Sequence, residues 1–419
     1  MNFSKKKIKL WDVVVIGGGA AGMMAAGRAA ELGRSVLLLE KNSKLGKKLL
    51  ITGGGRCNLT NNKPVVRNLI EKFKGNNKFL FTAFSQFAVN ETLEFFNNRG
   101  LAIKQEAEDR IFPQSNKAQS VWNLLVDYIK KNNVEVYTNT DIVKISKDPE
   151  TNFIYISSKN KMEVLARSCI VAMGGTSHPE TGSNGDGYKI LKKLGHTIVQ
   201  NNFALVPIAV KDDWAKKLGG VSLKDIKLTS YADGKRHEIQ KGKMLFTHFG
   251  ISGPAVLNLS KGVGDLLQYG EVVIFLDFFP HCDSVVLKKQ LYELLATENN
   301  KKLKNTLNRL VPTALVETLL ELAKVDGEIV NNNLIREDRM KLLAIMKNLP
   351  LHVESLLGSD KAVVSSGGVL PQEVDFKTMR SRIIPNLFIV GDLLNIDRPS
   401  GGYSLQLCWT TGFVAGSNA

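Results

Sequence analysis

The sequence predicts an α/β fold in which a parallel-stranded dinucleotide-binding domain is interrupted by a second, inserted piece. Three observations carry that expectation. Between Asp12 and Lys41, a β-branched run, a glycine-rich turn, a helix-favouring segment and a second apolar run follow one another. Near Asn201 the texture changes to short alternating segments with turn signals. From Ile383 the first texture returns: an apolar strand ends in Gly391-Asp392, and a glycine pair enters a small-residue helix.

Val13 to Ile16 reads as the first strand. Gly17, Gly19 and Gly22 follow it as GxGxxG, the first for a tight turn, the second for approach of a pyrophosphate, the third for close helix packing. Ala20 and Ala21 open the helix, whose N-terminus faces the phosphates. Glu40 stands at the tip of the second strand, where a carboxylate accepts both hydroxyls of an adenosine ribose and repels a 2′-phosphate. The bland alternative is a mere sheet turn, and strand, helix, strand and acid together weigh against it.

The following stretch, KNSKLGKKLLITGGGRCNLTN, is too polar and glycine-rich for a strand and is expected as a loop lining the cofactor. Gly53, Gly54 and Gly55 let backbone lie flat against a ligand, and Lys47, Lys48 and Arg56 supply cations for phosphate. Lys41 and Thr52 belong to the same candidate wall. Helical patterns over Phe79 to Asn98 and Ala118 to Lys131 flank the turn-rich EDRIFPQS. Residues 133 to 173 read as strands, one containing Val143 and the last running through Ala172 to Gly174, both counted as cofactor-lining candidates. The next glycine-rich loop lacks GxGxxG, so no separate nicotinamide domain is evident. An NAD(P)H donor is therefore expected as a transient ligand.

Segments ALVPIAVKDDW, SLKDIKLTSYADGKRHEIQKGKMLFTHFG and YGEVVIFLDF predict an antiparallel sheet or small barrel, and LKKQLYELLA with PTALVETLLELA predicts helices over 284 to 348. The terminal stretch decides between cofactors. In a flavoprotein with two dinucleotide folds, Asp392 accepts from a ribityl hydroxyl, and a helix starting at Gly402, Tyr403 and Ser404 points its positive end at the flavin pyrimidine. A nicotinamide enzyme needs no such distant segment. FAD is the expected cofactor, against the alternative of an ordinary strand and helix with Asp392 as cap.

A chain of 419 residues with 43% apolar content allows two to three domains. MNFSKKKIKLW lacks the apolar core of a signal peptide, and Val13 to Gly27 is too short and glycine-rich to span a bilayer. No membrane partner is expected, and a cytoplasmic location is. Cys57, Cys169, Cys282 and Cys408 show no paired or metal spacing, and the six histidines show none either, so no metal site is expected. The net charge of +16 points to a polyanionic partner, nucleic acid before membrane. Lysine outnumbers arginine 42 to 14, however, and codon bias alone produces that. Nine of the basic residues fall between Lys41 and Lys74, against one acid, Glu71.

Four stretches, LLITGGGRCNLTN, AMGGTSHPETGSNGDGY, LFTHFGISGPAVLNLS, and VVSSGGVLPQEVDFKTM with IVGDLLNIDRPSGGYSLQ, resemble the bacterial FAD-dependent oxidoreductases of the YhiN, BaiN and aminoacetone oxidase type. The resemblance covers nearly the whole chain and departs in small ways, such as AMGG where many flavoproteins carry ATGG. It implies a discontinuous, glutathione-reductase-like FAD domain of the two-dinucleotide-binding type over 1–199 and 360–419. The interruption is a β-barrel-like piece over 200–280 and a helical piece over 281–359. Reactions attributed to such relatives differ: oxidation of an aminoketone, reduction of a steroid enone, and reduction of a 23S ribosomal RNA uridine to dihydrouridine.

Two expectations follow. In the first, the substrate is ribosomal RNA, with Cys57, tuned by the neighbouring Arg56, as proton donor on a flavin-lining loop. A basic rim is supplied by the Lys41 to Lys74 cluster and by Lys216, Lys217, Lys235 and Arg236. In the second, the substrate is a small molecule and Cys57 is a compact packing residue. His248 in FTHFG is a further catalytic candidate, set against the reading of a satisfied core imidazole. The oligomeric state stays open.

Overall fold

The computed structural model describes residues 8–73, 77–148, 151–199, 205–358 and 367–419. β1 (Leu10–Ile16) leads into α1 (Ala20–Glu31) and returns as β2 (Val36–Leu39), parallel to β1 with Val13 opposite Val36 and Ile16 opposite Leu39. Val13 to Ile16 and all of β2 are buried. A parallel strand covered on both faces needs apolar residues at every position, hence the continuous runs rather than alternation.

Strand Glu163–Val171 lies on the other side of β1, and Leu387–Ile389 beyond it; Glu135–Tyr137 flanks β2, and all these pairs are parallel. The returning terminal segment is thus a strand of the same sheet. Ile142–Lys147 and Ile154–Ser158 form an antiparallel meander that joins Glu163–Val171. The pattern over Phe79 to Asn98 resolves into two helices, Asn77–Phe84 and Val89–Asn97, while Ala118–Lys131 is one helix as expected. The stretch after Glu40, expected as a loop, holds α2 (Lys47–Gly55), which kinks at Thr52 to Gly54.

The last helix, Tyr403–Asn418, packs on α1 at very short range. A Cβ on Gly412 would lie 2.4 Å from the Ala21 carbonyl oxygen, and one on Gly416 would lie 2.4 Å from that of Ala25. Small residues four apart on both helices therefore set the approach. Arg28 closes the contact, with Nε donating to Ser417 Oγ at 2.9 Å.

The chain divides into two compact units, residues 1–201 with 363–419, and residues 202–362. Each has its own apolar core. The second unit is a closed six-stranded barrel in the order Ile208–Val210, Gly250–Ser252, Lys235–Thr247, Ser222–Ala232, Val272–Asp277 and Leu349–Leu356. The sixth strand arrives after the helices and pairs with both Val272–Asp277 and Ile208–Val210. The stretch 281–359, expected as helical, therefore also supplies the strand that closes the barrel. Its helices, Ser284–Thr297, Leu303–Leu307, Thr313–Ala323 and Arg336–Lys347, share the barrel's core rather than forming a second one. A further helix, Pro254–Leu266, which the alternating pattern did not suggest, buries Val256, Leu259 and Val263 in that core. The expected boundaries at 199/200 and 359/360 touch residues outside the described set, as do Lys74 and the N-terminal MNFSKKK.

Candidate cofactor site

Four parallel strands end at one cleft in the first unit. Gly17 after β1, Glu40 after β2, Ala172 after Glu163–Val171, and Val390 to Asp392 after Leu387–Ile389 all line it. Ligands of open α/β sheets bind at the carboxyl ends of strands, and this cleft occupies that place, with about 820 Å3 of space including its mouth. Gly17 turns there at φ +104°, and a side chain on it would meet the Ala172 carbonyl oxygen at 2.4 Å. A Cβ on Gly22 would fall 1.8 Å from the Gly17 oxygen, so α1 sits directly on the turn. A Cβ on Gly19 would meet nothing within 4 Å, because that position faces the open cleft. The first bond within the helix is Met23 N to Gly19 O at 2.9 Å. The amides of Ala20, Ala21 and Gly22 therefore have no acceptor inside the helix, and with the helix dipole they suit a diphosphate.

Glu40 is 7% exposed and held by three donors. Gly18 N donates to Oε2 at 2.7 Å, and Asn42 donates to Oε1 from N at 2.8 Å and from Nδ2 at 2.7 Å. A carboxylate offers about four acceptor positions, so one, on Oε2, remains for a ribose hydroxyl. Lys48, on α2, also lines the cleft and donates from Nζ to Ser177 Oγ at 3.1 Å. Burial lowers its pKa, opposed by the negative charge of Asp392. A desolvated ammonium facing a set of free amides fits a bound diphosphate. These residues match an FAD: Glu40 and Asn42 for the ribose, the α1 amides and Lys48 for the phosphates, Gly391 and Asp392 beyond them.

Of the other candidates, Gly17, Gly19, Ala21, Glu40, Lys41, Lys48, Ala172, Gly174, Gly391 and Asp392 are brought together in this cleft. Val143 is not. It is 49% exposed, whereas the buried Ile142 beside it at the start of the strand, with Thr140 and Asp141 before it, lines the wall. Asp392 has one oxygen committed to an ion pair with Arg398, whose guanidinium also donates to Ile396 O at 2.7 Å and Ser404 Oγ at 3.0 Å. Gly402, Tyr403 and Ser404 do not line the cleft; Tyr403 is buried, with its hydroxyl donating to Asn61 Oδ1 at 3.1 Å. Burial pushes its phenol up to about 12. Its packing role therefore stands out over a ligand role.

The tuned, reaching thiol expected at Cys57 is corrected by the geometry. Cys57 is fully buried, and desolvation pushes its thiol up to about 12, with Thr52 the hydrogen-bond partner that partly opposes this. Arg56 faces elsewhere: it pairs with Glu106 at 2.5 Å, reaches Asn116 and stacks on Phe112 with 4.1 Å between guanidinium and ring. Thr52 and Gly53 belong to the same kink, with the Thr52 hydroxyl donating to Leu49 O at 2.6 Å. His248 belongs to the second unit, on the exposed turn after strand Lys235–Thr247, its ring edge-on to Phe249 at 4.9 Å.

The basic cluster after Glu40 is not one patch. Lys41, Lys47 and Lys48 line the cleft, Lys44 lies 4.5 Å over the Trp122 ring, and Lys63 pairs with Asp109 at 3.4 Å. Arg67 and Lys72 are exposed. Sequence reasoning missed Asn42, Arg398 and Cys408 as site residues. Cys408 lines the cleft, and its thiol is also raised by burial to about 12. Only Arg398 had a signal, its place in the RPSGGYS run. Among the described residues no group of three or more His, Cys, Asp or Glu side chains could hold a metal. No helix among them is long and apolar enough to cross a membrane.

A Rossmann-type unit with this cleft, carrying an inserted barrel, defines an FAD-dependent oxidoreductase. The chain belongs to the family described as HI0933-like protein Rossmann domain, whose model matches residues 11–418. It is 30% identical over 404 residues to the ribosomal RNA dihydrouridine synthase of Escherichia coli K12, covering 96% of each chain. It is 32% identical over 409 residues to the 3-dehydro-bile acid delta(4,6)-reductase of Clostridium scindens, covering 97% of this chain and 98% of that one. Among solved structures, the open conformation of a flavocytochrome c3 fumarate reductase matches with a TM-score of 0.55 at 15% identity. That match covers 98% of this chain and 78% of the other, and it bears on the fold alone.

Proposed function

We propose that this flavoenzyme reduces a uridine of 23S ribosomal RNA to dihydrouridine, with NAD(P)H as transient electron donor, in the cytoplasm where ribosomes are made. The observation that carries this reading is the full-length similarity to a ribosomal RNA dihydrouridine synthase in a chain whose net charge is +16. A polyanion gains counterion-release affinity from such a surface with each phosphate that is paired, whereas a bile acid offers a single carboxylate. When bound, the flavin supplies hydride transfer at N5. The chain's residues bind and orient it: Glu40 holds the ribose, the amides of Ala20 and Ala21 with Lys48 neutralise the diphosphate, and Arg398 fixes Asp392 in place. Cys57 serves as packing beneath the glycine kink.

The second reading, a small-molecule reductase or oxidase, is favoured by the comparable similarity to a bile acid reductase. Nucleoside mass analysis of 23S ribosomal RNA from a deletion strain separates the two. Loss of a dihydrouridine, restored by the wild-type gene, is expected. An unchanged dihydrouridine content would move the small-molecule reading to first place.

A further inference from the structure

We infer that the outer face of the barrel, around strand Lys235–Thr247, is a docking surface for the phosphate backbone of single-stranded RNA; this rests on the RNA reading above. Beyond the exposed start at Lys235 to His237, the strand alternates more exposed with more buried positions. Met244 and Phe246 point into the core at 1% and 0% exposure, while Lys235, His237, Ile239, Lys241 and Lys243 are all exposed. Those residues form one outward row on a single strand face.

The neighbouring strands extend the row into a surface. Lys227 stands directly opposite Lys241, and Thr229 opposite Ile239. On the next strand, Phe275 is opposite Thr229, and the half-buried rings of Tyr231 and Phe275 meet edge to face at 5.2 Å. Like charges directly opposite each other in a sheet are destabilising unless a counter-charge is present. Lys227 has one in Asp277, at 2.9 Å, which Lys347 also engages at 2.8 Å. Lys235, Lys241 and Lys243 have no such partner among the described residues.

Nearby carboxylates do not neutralise the row. Asp225 is paired with His281, and Glu238 lies on the other side of the strand, against Gly262 of helix Pro254–Leu266. A row of uncompensated cations beside partly exposed aromatic rings has the chemistry of a single-strand platform, where cations track phosphates and rings stack on bases. A bland purpose exists for such lysines, since they also discourage unwanted strand pairing. That purpose does not account for the aromatic pair beside them.

The test uses the full-length flavoprotein and protein-free 23S ribosomal RNA, with binding measured across a salt series. The triple variant Lys235→Gln, Lys241→Gln, Lys243→Gln should lower the slope of log affinity against log salt by roughly 0.7 per lost phosphate contact, about 2 in all. Removing the same charge at Lys288, Lys289 and Lys324 should leave it near the wild-type value. Tyr231→Leu should weaken binding by roughly 5-fold or more without changing the slope. Flavin content and melting temperature should be unchanged in each, which separates lost contacts from lost structure. If the triple variant keeps the wild-type slope, the docking surface is wrong even where dihydrouridine formation upholds the RNA reading. Wild-type protein that binds no RNA, or binds only phosphatidylglycerol vesicles, overturns both.

Discussion

Glu40 shows how one side chain defines a ligand. Three donors from Gly18 and Asn42 fix its carboxylate at the end of β2. A charge-assisted hydrogen bond contributes about 1.5–3 kcal/mol, so losing one to a ribose matters. Glu40→Arg should reduce FAD affinity by about 10-fold or more, read as a lower ratio of flavin to protein absorbance after purification. Isolation of a folded variant with full FAD content would show that the acid does not hold the ribose. Cys57 illustrates the opposite case, a residue whose neighbours in sequence mislead. Its backbone turns at φ +61°, separated by the right-handed Arg56 from the left-handed Gly53 to Gly55, and its thiol is raised by burial rather than lowered by Arg56. Cys57→Ala should therefore leave turnover within a few-fold of wild type, whereas loss of a general acid costs roughly 100-fold or more.

Buried thiols also carry a pH dependence with a definite sign. The unfolded chain releases their protons near pH 8.5–9, whereas in the folded protein Cys57 and Cys408 hold theirs to about 12. Above the unfolded value the unfolded state binds fewer protons, so stability falls as pH rises, by about 1.4 kcal/mol per pH unit for each such thiol. Urea unfolding at pH 8 and pH 10 should show that fall, and Cys57→Ala should lessen it. Equal sensitivity in the variant would mean that Cys57 is not the group responsible.

Among elements, the contact between α1 and the last helix links the two ends of the sequence. Gly412 and Gly416 lie over the carbonyls of Ala21 and Ala25, so the runs AAGMMAAGRAA and TTGFVAG explain each other. Gly412→Val should push the helices apart at a cost of about 1–3 kcal/mol, and more if the backbone cannot yield. Because α1 carries the amides proposed to hold the diphosphate, FAD retention should fall with the melting temperature. A variant of unchanged melting temperature would show that the contact is looser than its geometry implies. The stretch after Glu40 is legible only in part: the sequence placed Lys48 at the cofactor and the glycine triplet signalled unusual backbone, but a loop was expected where a kinked helix carries Lys48 to the cleft.

For the whole molecule, the described residues hold one GxGxxG cradle, so the nicotinamide donor proposed above and the substrate are expected to use the flavin in turn. Initial-rate kinetics should give the parallel lines of a ping-pong scheme, and intersecting lines from a ternary complex would refute alternate occupancy. The division into units of 1–201 with 363–419 and of 202–362 follows the change of texture near Asn201, which a reading of alternation could see.

Local chemistry alone determined much of this protein. GxGxxG between two apolar runs, with an acid after the second, specifies its own turn, its helix and the acid's place in the cleft, because every part lies within thirty residues and interacts through backbone geometry. The barrel's alternation was equally local. Its closure was not: Leu349–Leu356 is a strand because Val272–Asp277 and Ile208–Val210 lie on either side of it, partners that only the folded chain supplies. The same holds for Arg398 against Asp392, for the burial that removes Cys57 from chemistry, and for the scattering of the basic cluster. Charge and pKa depend on what stands within a few ångströms in space, and sequence distance does not report it.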